Sequence, residues 1–183
     1  MRHAGWRNEH TIHRAPHRLM TTIQTATSER RPPTMTVDLW PAFTTFASDD
    51  VVVAAVSLTR LVEWCGTPCV HTADAALPGT HGLPSPTEMA SIVIARVVAV
   101  QWRSDLRMHV TIDADLDGCR PILSEARVIG RQATVHRSTA TLEAPGAEDF
   151  AFAAQLPSDV VLGDLIAVPC LGATLLHDVK VGP

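Results

Sequence analysis

The sequence predicts a mainly β protein, a small antiparallel β barrel or sandwich with one N-terminal helix and a disordered N-terminal tail. Three observations carry this. From residue 89 onward, short runs rich in Val, Ile and Thr follow one another at near-regular spacing, separated by Asp, Gly and Pro. That is the pattern of hairpin-linked strands rather than of strands alternating with helices. Upstream, a single stretch carries apolar residues at helical spacing, and the head of the chain has no apolar period at all.

The head is residues 1–36. Within its first 34 residues, Arg2, Arg7, Arg14, Arg18, Arg30 and Arg31 face only Glu9 and Glu29, and His3, His10, His13 and His17 add to them. The remainder then holds nine basic against seventeen acidic residues, so the charge is segregated along the chain. Such a segment cannot bury enough apolar surface to offset its ordering entropy, which predicts a disordered basic tail. It has no apolar run of the kind a secretory signal needs. An organelle transit peptide, a weak nucleic-acid arm and an over-long start with Met20 or Met35 as the initiator all stay open.

Residues 37–183 are expected to form one domain, because 183 residues with 46% apolar and 19% charged side chains supply one core of ordinary size. From Asp49 to Trp64, Val52, Ala55, Val56, Leu58, Leu61 and Val62 recur at spacings of mainly three and four, predicting an amphipathic helix. Gly66-Thr67-Pro68 stops it, and Cys69-Val70-His71 reads as a short strand, so that 50–76 is a helix-strand opening. Leu77–Thr87, with Pro78, Gly79, Gly82, Pro84 and Pro86, reads as a linker. Strands are expected at Met89–Gln101, Arg107–Ile112, Ala133–Leu142, Leu162–Pro169 and Thr174–Val181. The longest apolar stretches fall well short of the roughly 20 residues a membrane span needs, which predicts a soluble, cytoplasmic protein.

Several clusters are weighed for chemistry. Cys65, Cys69, His71 and His81 are zinc-ligand types, but the spacing departs from the usual knuckle, and buried apolar cysteine is the plainer account. Asp113, Asp115 and Asp117 alternate as calcium-binding loops do, without the flanking helices or twelfth-position Glu of an EF-hand; carboxylates capping a turn are the plainer account. The four cysteines are too few and scattered for a disulfide framework, so reduced thiols are expected. Glycine-rich phosphate or dinucleotide loops and the G-x-S-x-G elbow are missing, Lys180 is the only lysine, and there is no tyrosine.

Three segments together resemble a known family. Arg96–Val100, Val110–Asp115 and Arg120-Pro121-Ile122-Leu123 form the first; Gln155-Leu156-Pro157, Gly163–Val168 and Gly172-Ala173-Thr174 form the second; Leu58–Val70, running through Gly66-Thr67-Pro68, forms the third. In this order they resemble the C-terminal β domain of the fold-type III pyridoxal-phosphate (PLP)-dependent decarboxylases, the diaminopimelate, ornithine and arginine decarboxylases, a domain akin to the C-terminal domain of alanine racemase. The likeness covers residues 56–76 and 86–181, and the (β/α)8 barrel that separates these pieces in full-length members is missing.

What the resemblance implies about a site is degenerate. The barrel lysine that holds the cofactor as a Schiff base lies in the missing module, and Lys180 matches no motif. Where the family has a Cys-Asp/Glu-Ser segment, this chain reads Pro145-Gly146-Ala147-Glu148-Asp149. Thr174 replaces a cofactor-contacting tyrosine beside Gly172, and Ser124 replaces the tyrosine after Arg-Pro. Arg120 matches the arginine that pairs with a substrate carboxylate, and Asp149 matches the acidic position. The resemblance therefore implies no catalytic residue. Arg120, Ser124 and Asp149 would be remnants of substrate binding, and Gly172 and Thr174 remnants of cofactor binding. PLP would be present only if a partner barrel supplied it. Family members dimerise head to tail, so a homodimer, or a heteromer with a PLP-binding barrel protein, is implied; nucleic acid and membrane are not. The chain is then expected to be a non-catalytic interaction module or remnant, or else a subunit completing a decarboxylase site in trans.

Overall fold

Valine-rich strands dominate the computed structural model, which describes residues 37–103, 107–146 and 151–180. The proposed tail, residues 1–36, and Asp149 lie outside the described residues. A small sheet comes first: β1 (Thr44–Phe46), β2 (Val51–Val53) and β3 (Val56–Ser57) pair antiparallel in that order. Helix α1 (Leu58–Cys65) follows, then β4 (Cys69–Ala76) and the long strand β5 (Pro84–Trp102). After these come β6 (Met108–Ile112), β7 (Arg127–Ile129), β8 (Arg137–Glu143), β9 (Phe152–Pro157), β10 (Leu165–Leu171) and a four-residue helix α2 (Leu176–Val179). None of the described helices is long and apolar enough to cross a membrane.

The main sheet runs β7-β10-β5-β6-β8-β9, with β4 also on β5. It curls into a nearly closed barrel. Where β9 comes round towards β7 there is no ladder, and one side chain bridges the seam. The Arg137 guanidinium donates to the Gln155 carbonyl on β9 (Nη2, 2.6 Å), to Ala126 immediately before β7 (2.6 Å) and to Ser124 (3.2 Å). A cationic fork with several donors satisfies carbonyls that the missing ladder would leave unmet.

Strand β5 organises both cores. Its residues alternate: Val93, Ala95 and Val97 point into the barrel with Val110, Ile112, Leu142, Ile166 and Val168, whereas Ile92 and Ile94 face Trp40, Val53, Leu58 and Val62 of the N-terminal segment. Burial on both faces at 90–95 explains why the apolar residues there do not alternate with polar ones. At Val98 two residues of β5 oppose one of β6, since Val97 pairs with Ile112 and Ala99 with Thr111. This bulge turns the strand from one partner set to the next.

Four expectations are corrected. The stretch Asp49–Trp64 is not one helix: β2 and β3 form a hairpin whose two-residue turn, Ala54-Ala55, has φ of 48° and 68°. The three consecutive valines favour strand, and Asp50 then directs the helix start. Its Oδ1 accepts from the Val51 and Thr59 amides, and its Oδ2 from the Ser57 hydroxyl, while Ser57 caps Arg60. The expected linker is only the turn at 77–83. β5 begins at Pro84, and Pro86 sits in the irregular stretch between Ala76↔Pro84 and Asp74↔Met89, where a missing N–H is tolerated. The sheet is mixed, because β6 and β8 are parallel. Finally, Thr174–Val181 contains α2 and not a strand; the Asp178 carboxylate accepts from the Leu175 amide (2.9 Å) and Val179 accepts from Asp115 (2.9 Å).

Candidate functional site

The residues Arg120-Pro121-Ile122 run beside β10. Leu171 donates to the Arg120 carbonyl (3.0 Å), Ile122 donates to Pro169 (2.8 Å), and Pro121 bridges Cys170. Here β10 ends in Gly172 at φ 81°, which lets the chain leave the sheet. The Arg120 side chain folds over it: a methyl group on Gly172 would stand 3.0 Å from Arg120 Nη2. Arg120 is exposed, and among the described residues no carboxylate pairs with its guanidinium.

Beneath this edge lies a polar node that sequence reasoning missed. Ser91, fully buried in the apolar run of β5, donates its hydroxyl to the Gly172 carbonyl (3.0 Å) and accepts from the Thr174 amide (2.9 Å), with Thr72 Oγ1 at 3.0 Å. A hydroxyl inside an Ile/Val run was the available signal, because a buried polar group must find partners. The node fixes Gly172-Ala173-Thr174 against β5 and so positions the surface on which Arg120 rests. Leu171, Leu175 and Leu176, next to these residues in the chain, are 50%, 57% and 41% exposed.

The structure thus brings together Arg120, Gly172 and Thr174 through the β10 terminus. Ser124 stands apart. It is exposed in a short 3-10 turn, and its carbonyl is held by Arg137. Asp149 lies outside the described residues.

The other clusters resolve into structural roles. Asp113 is a splice: β4 and β6 occupy the same edge of β5 end to end, and between them Asp113 Oδ1 accepts from the Arg96 amide (2.6 Å) and Oδ2 from the Thr67 hydroxyl (2.6 Å). Asp115 turns its carboxylate to the Asp117 amide (2.9 Å). Cys69 is buried, and burial, then the neighbouring Cys65 and Asp113, push its thiol up to about 11, which favours the neutral, non-ligating form. Among the described residues no cluster of three or more His, Cys, Asp or Glu side chains is placed to hold a metal.

Arg131 was also missed. Its guanidinium grips Asp164 through two bonds, Nε to Oδ1 at 2.8 Å and Nη2 to Oδ2 at 2.7 Å. It also reaches Asp159 at the carbonyl (2.7 Å) and carboxylate (3.2 Å). Burial raises the Asp159 carboxyl, but the bonds from Arg131 and Thr134 outweigh it and hold the group below the usual carboxylate range.

A Schiff base needs an amine in the site, and Lys180 is an exposed residue beyond α2, bridged through its backbone to Ala114.

No family model matches the chain, and no curated protein does. Among solved structures it is similar to the diaminopimelate decarboxylase of M. jannaschii in complex with L-lysine, at 18% identity and a TM-score of 0.35. The match covers 45% of this chain and 20% of that one. It is also similar to the arginine decarboxylase of Paramecium bursaria Chlorella virus bound to agmatine, at 14% identity and a TM-score of 0.36, over 45% of this chain and 25% of that one. The chain therefore spans a quarter or less of the length of either.

Proposed function

We propose that this chain is a non-catalytic, decarboxylase-like β module that works through contacts at the Arg120–Gly172 edge. The observation that carries the reading is an exposed guanidinium set over Gly172, with no described carboxylate to neutralise it, on a stretch of chain that also exposes Leu171, Leu175 and Leu176. An arginine retained only for stability spends its donors inside the protein, as Arg131 and Arg137 do. An available planar cation on a chain segment that also exposes leucines suits a protein surface that presents a carboxylate in an apolar setting. The absence of any tyrosine, and of any lysine besides Lys180, argues against chemistry by this chain alone.

A second reading has the same edge completing the site of a PLP-dependent decarboxylase barrel in trans. Arg120 favours it as the one position that keeps both the family residue type and an accessible guanidinium.

Titration of the purified protein with pyridoxal phosphate, followed by borohydride, tests the non-catalytic reading. The expected result is no aldimine absorbance and no reduced adduct above that of a denatured control; a specific adduct at Lys180 overturns it. Adding the chain to a decarboxylase barrel stripped of its own β domain tests the second reading. Restored turnover that Arg120→Ala abolishes would establish it in place of the first.

A further inference from the structure

Two thiols that are 51 residues apart in sequence meet on one face of the fold. Cys170 lies on β10, and Cys119 immediately precedes the Arg120-Pro121-Ile122 segment that runs antiparallel to it. Because Pro121 is the residue opposite Cys170, Cys119 is its diagonal neighbour, and side chains two apart on such a pair share a face. The sulfurs are 3.5 Å apart.

We propose that Cys119 and Cys170 form a dithiol site that is oxidised to an intramolecular disulfide by peroxide-class oxidants. The two members divide the work. Cys119 is half-buried and reachable, whereas Cys170 is 1% exposed and reachable only through its partner. The Cys170 thiol donates to Cys119 Sγ. That bond lowers the Cys119 thiol and outweighs burial and the carboxylates of Asp115, Asp117 and Asp178, which push it up; Cys170 is raised by the same bond and by burial. Cys119 is thus the nucleophile and Cys170 the resolving thiol.

The step balances. The Cys119 thiolate attacks one peroxide oxygen, the O–O bond breaks, and the departing hydroxide takes up the Cys119 proton to leave as water, giving a sulfenic acid at Cys119. The Cys170 sulfur then attacks the Cys119 sulfur, the S–O bond breaks, and the hydroxyl leaves with the Cys170 proton as a second water. Two thiols and one peroxide become one disulfide and two waters. Forming the bond brings the sulfurs from 3.5 Å to the roughly 2.0 Å of a disulfide. The bond would staple the Arg120 segment to the end of β10, so oxidation stiffens the surface that carries Arg120. The thiol chemistry does not depend on what that surface binds.

The test uses the full chain with Cys65→Ser, which removes the exposed thiol at the end of α1. After hydrogen peroxide, unreacted thiols are alkylated under denaturing conditions and the protein is digested. The expected product is a cross-linked peptide joining Cys119 to Cys170, with Cys69 alkylated and a melting temperature raised by roughly 5 °C. Dithiothreitol should reverse both. In Cys170→Ala, oxidation should stop at a Cys119 sulfenic acid that dimedone captures. Alkylation of both Cys119 and Cys170 after peroxide, or a cross-link through Cys69, overturns the proposal, and this readout holds even if Cys170→Ala fails to fold.

Discussion

Arg131 and Arg120 are the same residue type in opposite circumstances. Arg131 spans the turn that leads into β10, and its donors are committed to Asp164 and Asp159. Arg120 flanks the other end of β10, where its donors point outward over Gly172. Asp164 is itself 9% exposed, so the carboxylate side of the Arg131 pair is largely shielded from solvent although the guanidinium is partly exposed. The Arg120 edge has polar support from below, through Ser91, and an open side above. One end of the strand is built to hold the barrel, and the other to meet something else.

The sharpest break of this comparison is Arg131→Met, which strands the Asp164 carboxylate and should cost about 3 kcal/mol in urea unfolding, moderated by the partial exposure of the pair. Its acid behaviour supplies the sign. Asp159 titrates below its unfolded value, so its stabilisation is complete above about pH 4 and is lost as pH falls through the folded value. In Arg131→Met that acid-side loss should flatten; an unchanged pH profile would remove Arg131 from the account.

Gly172→Ala should have a middling effect, about 1–2 kcal/mol, because it adds a side chain at φ 81° and presses a methyl group within 3.0 Å of Arg120 Nη2. Combining it with Arg120→Ala separates the two causes. Only the contact should be recovered, and full recovery would mean that backbone strain contributes nothing.

The smallest effect is expected from Arg120→Ala alone. Thermal unfolding should stay within about 2 °C of the parent, as for an exposed side chain without internal partners. A large drop would show that Arg120 is structural after all and would erase the contrast with Arg131.

Much of the fold was legible in the residues. The apolar run at Met89–Gln101 marked the central strand, Gly66-Thr67-Pro68 ended the helix, and the spacing of the later runs marked β6, β8 and β10. The failures have identifiable causes. At Asp49–Ser57, valines that fall at helical spacing also have strand propensity, and the left-handed Ala54-Ala55 turn, with Asp50 bonding Ser57 across the two strands, decides for a hairpin. At Thr174–Val181, leucines and valines suggest a strand, but the chain is held in a helical turn by Asp178 and by docking on Asp115.

The site was legible only as residue types. Arg120, Gly172 and Thr174 were singled out by motif, but the sequence does not reveal Ser91 joining two of them, Arg131 being neutralised or Arg120 being open. It does not reveal Cys119 meeting Cys170, or Asp113 splicing two strands. Periodicity, capping and turn chemistry act over a few residues, so the sequence by itself determined a mainly β chain with one short opening helix. Which side chains became partners depended on strand register across dozens of residues, and a register shift of one residue moves every side chain to the opposite face.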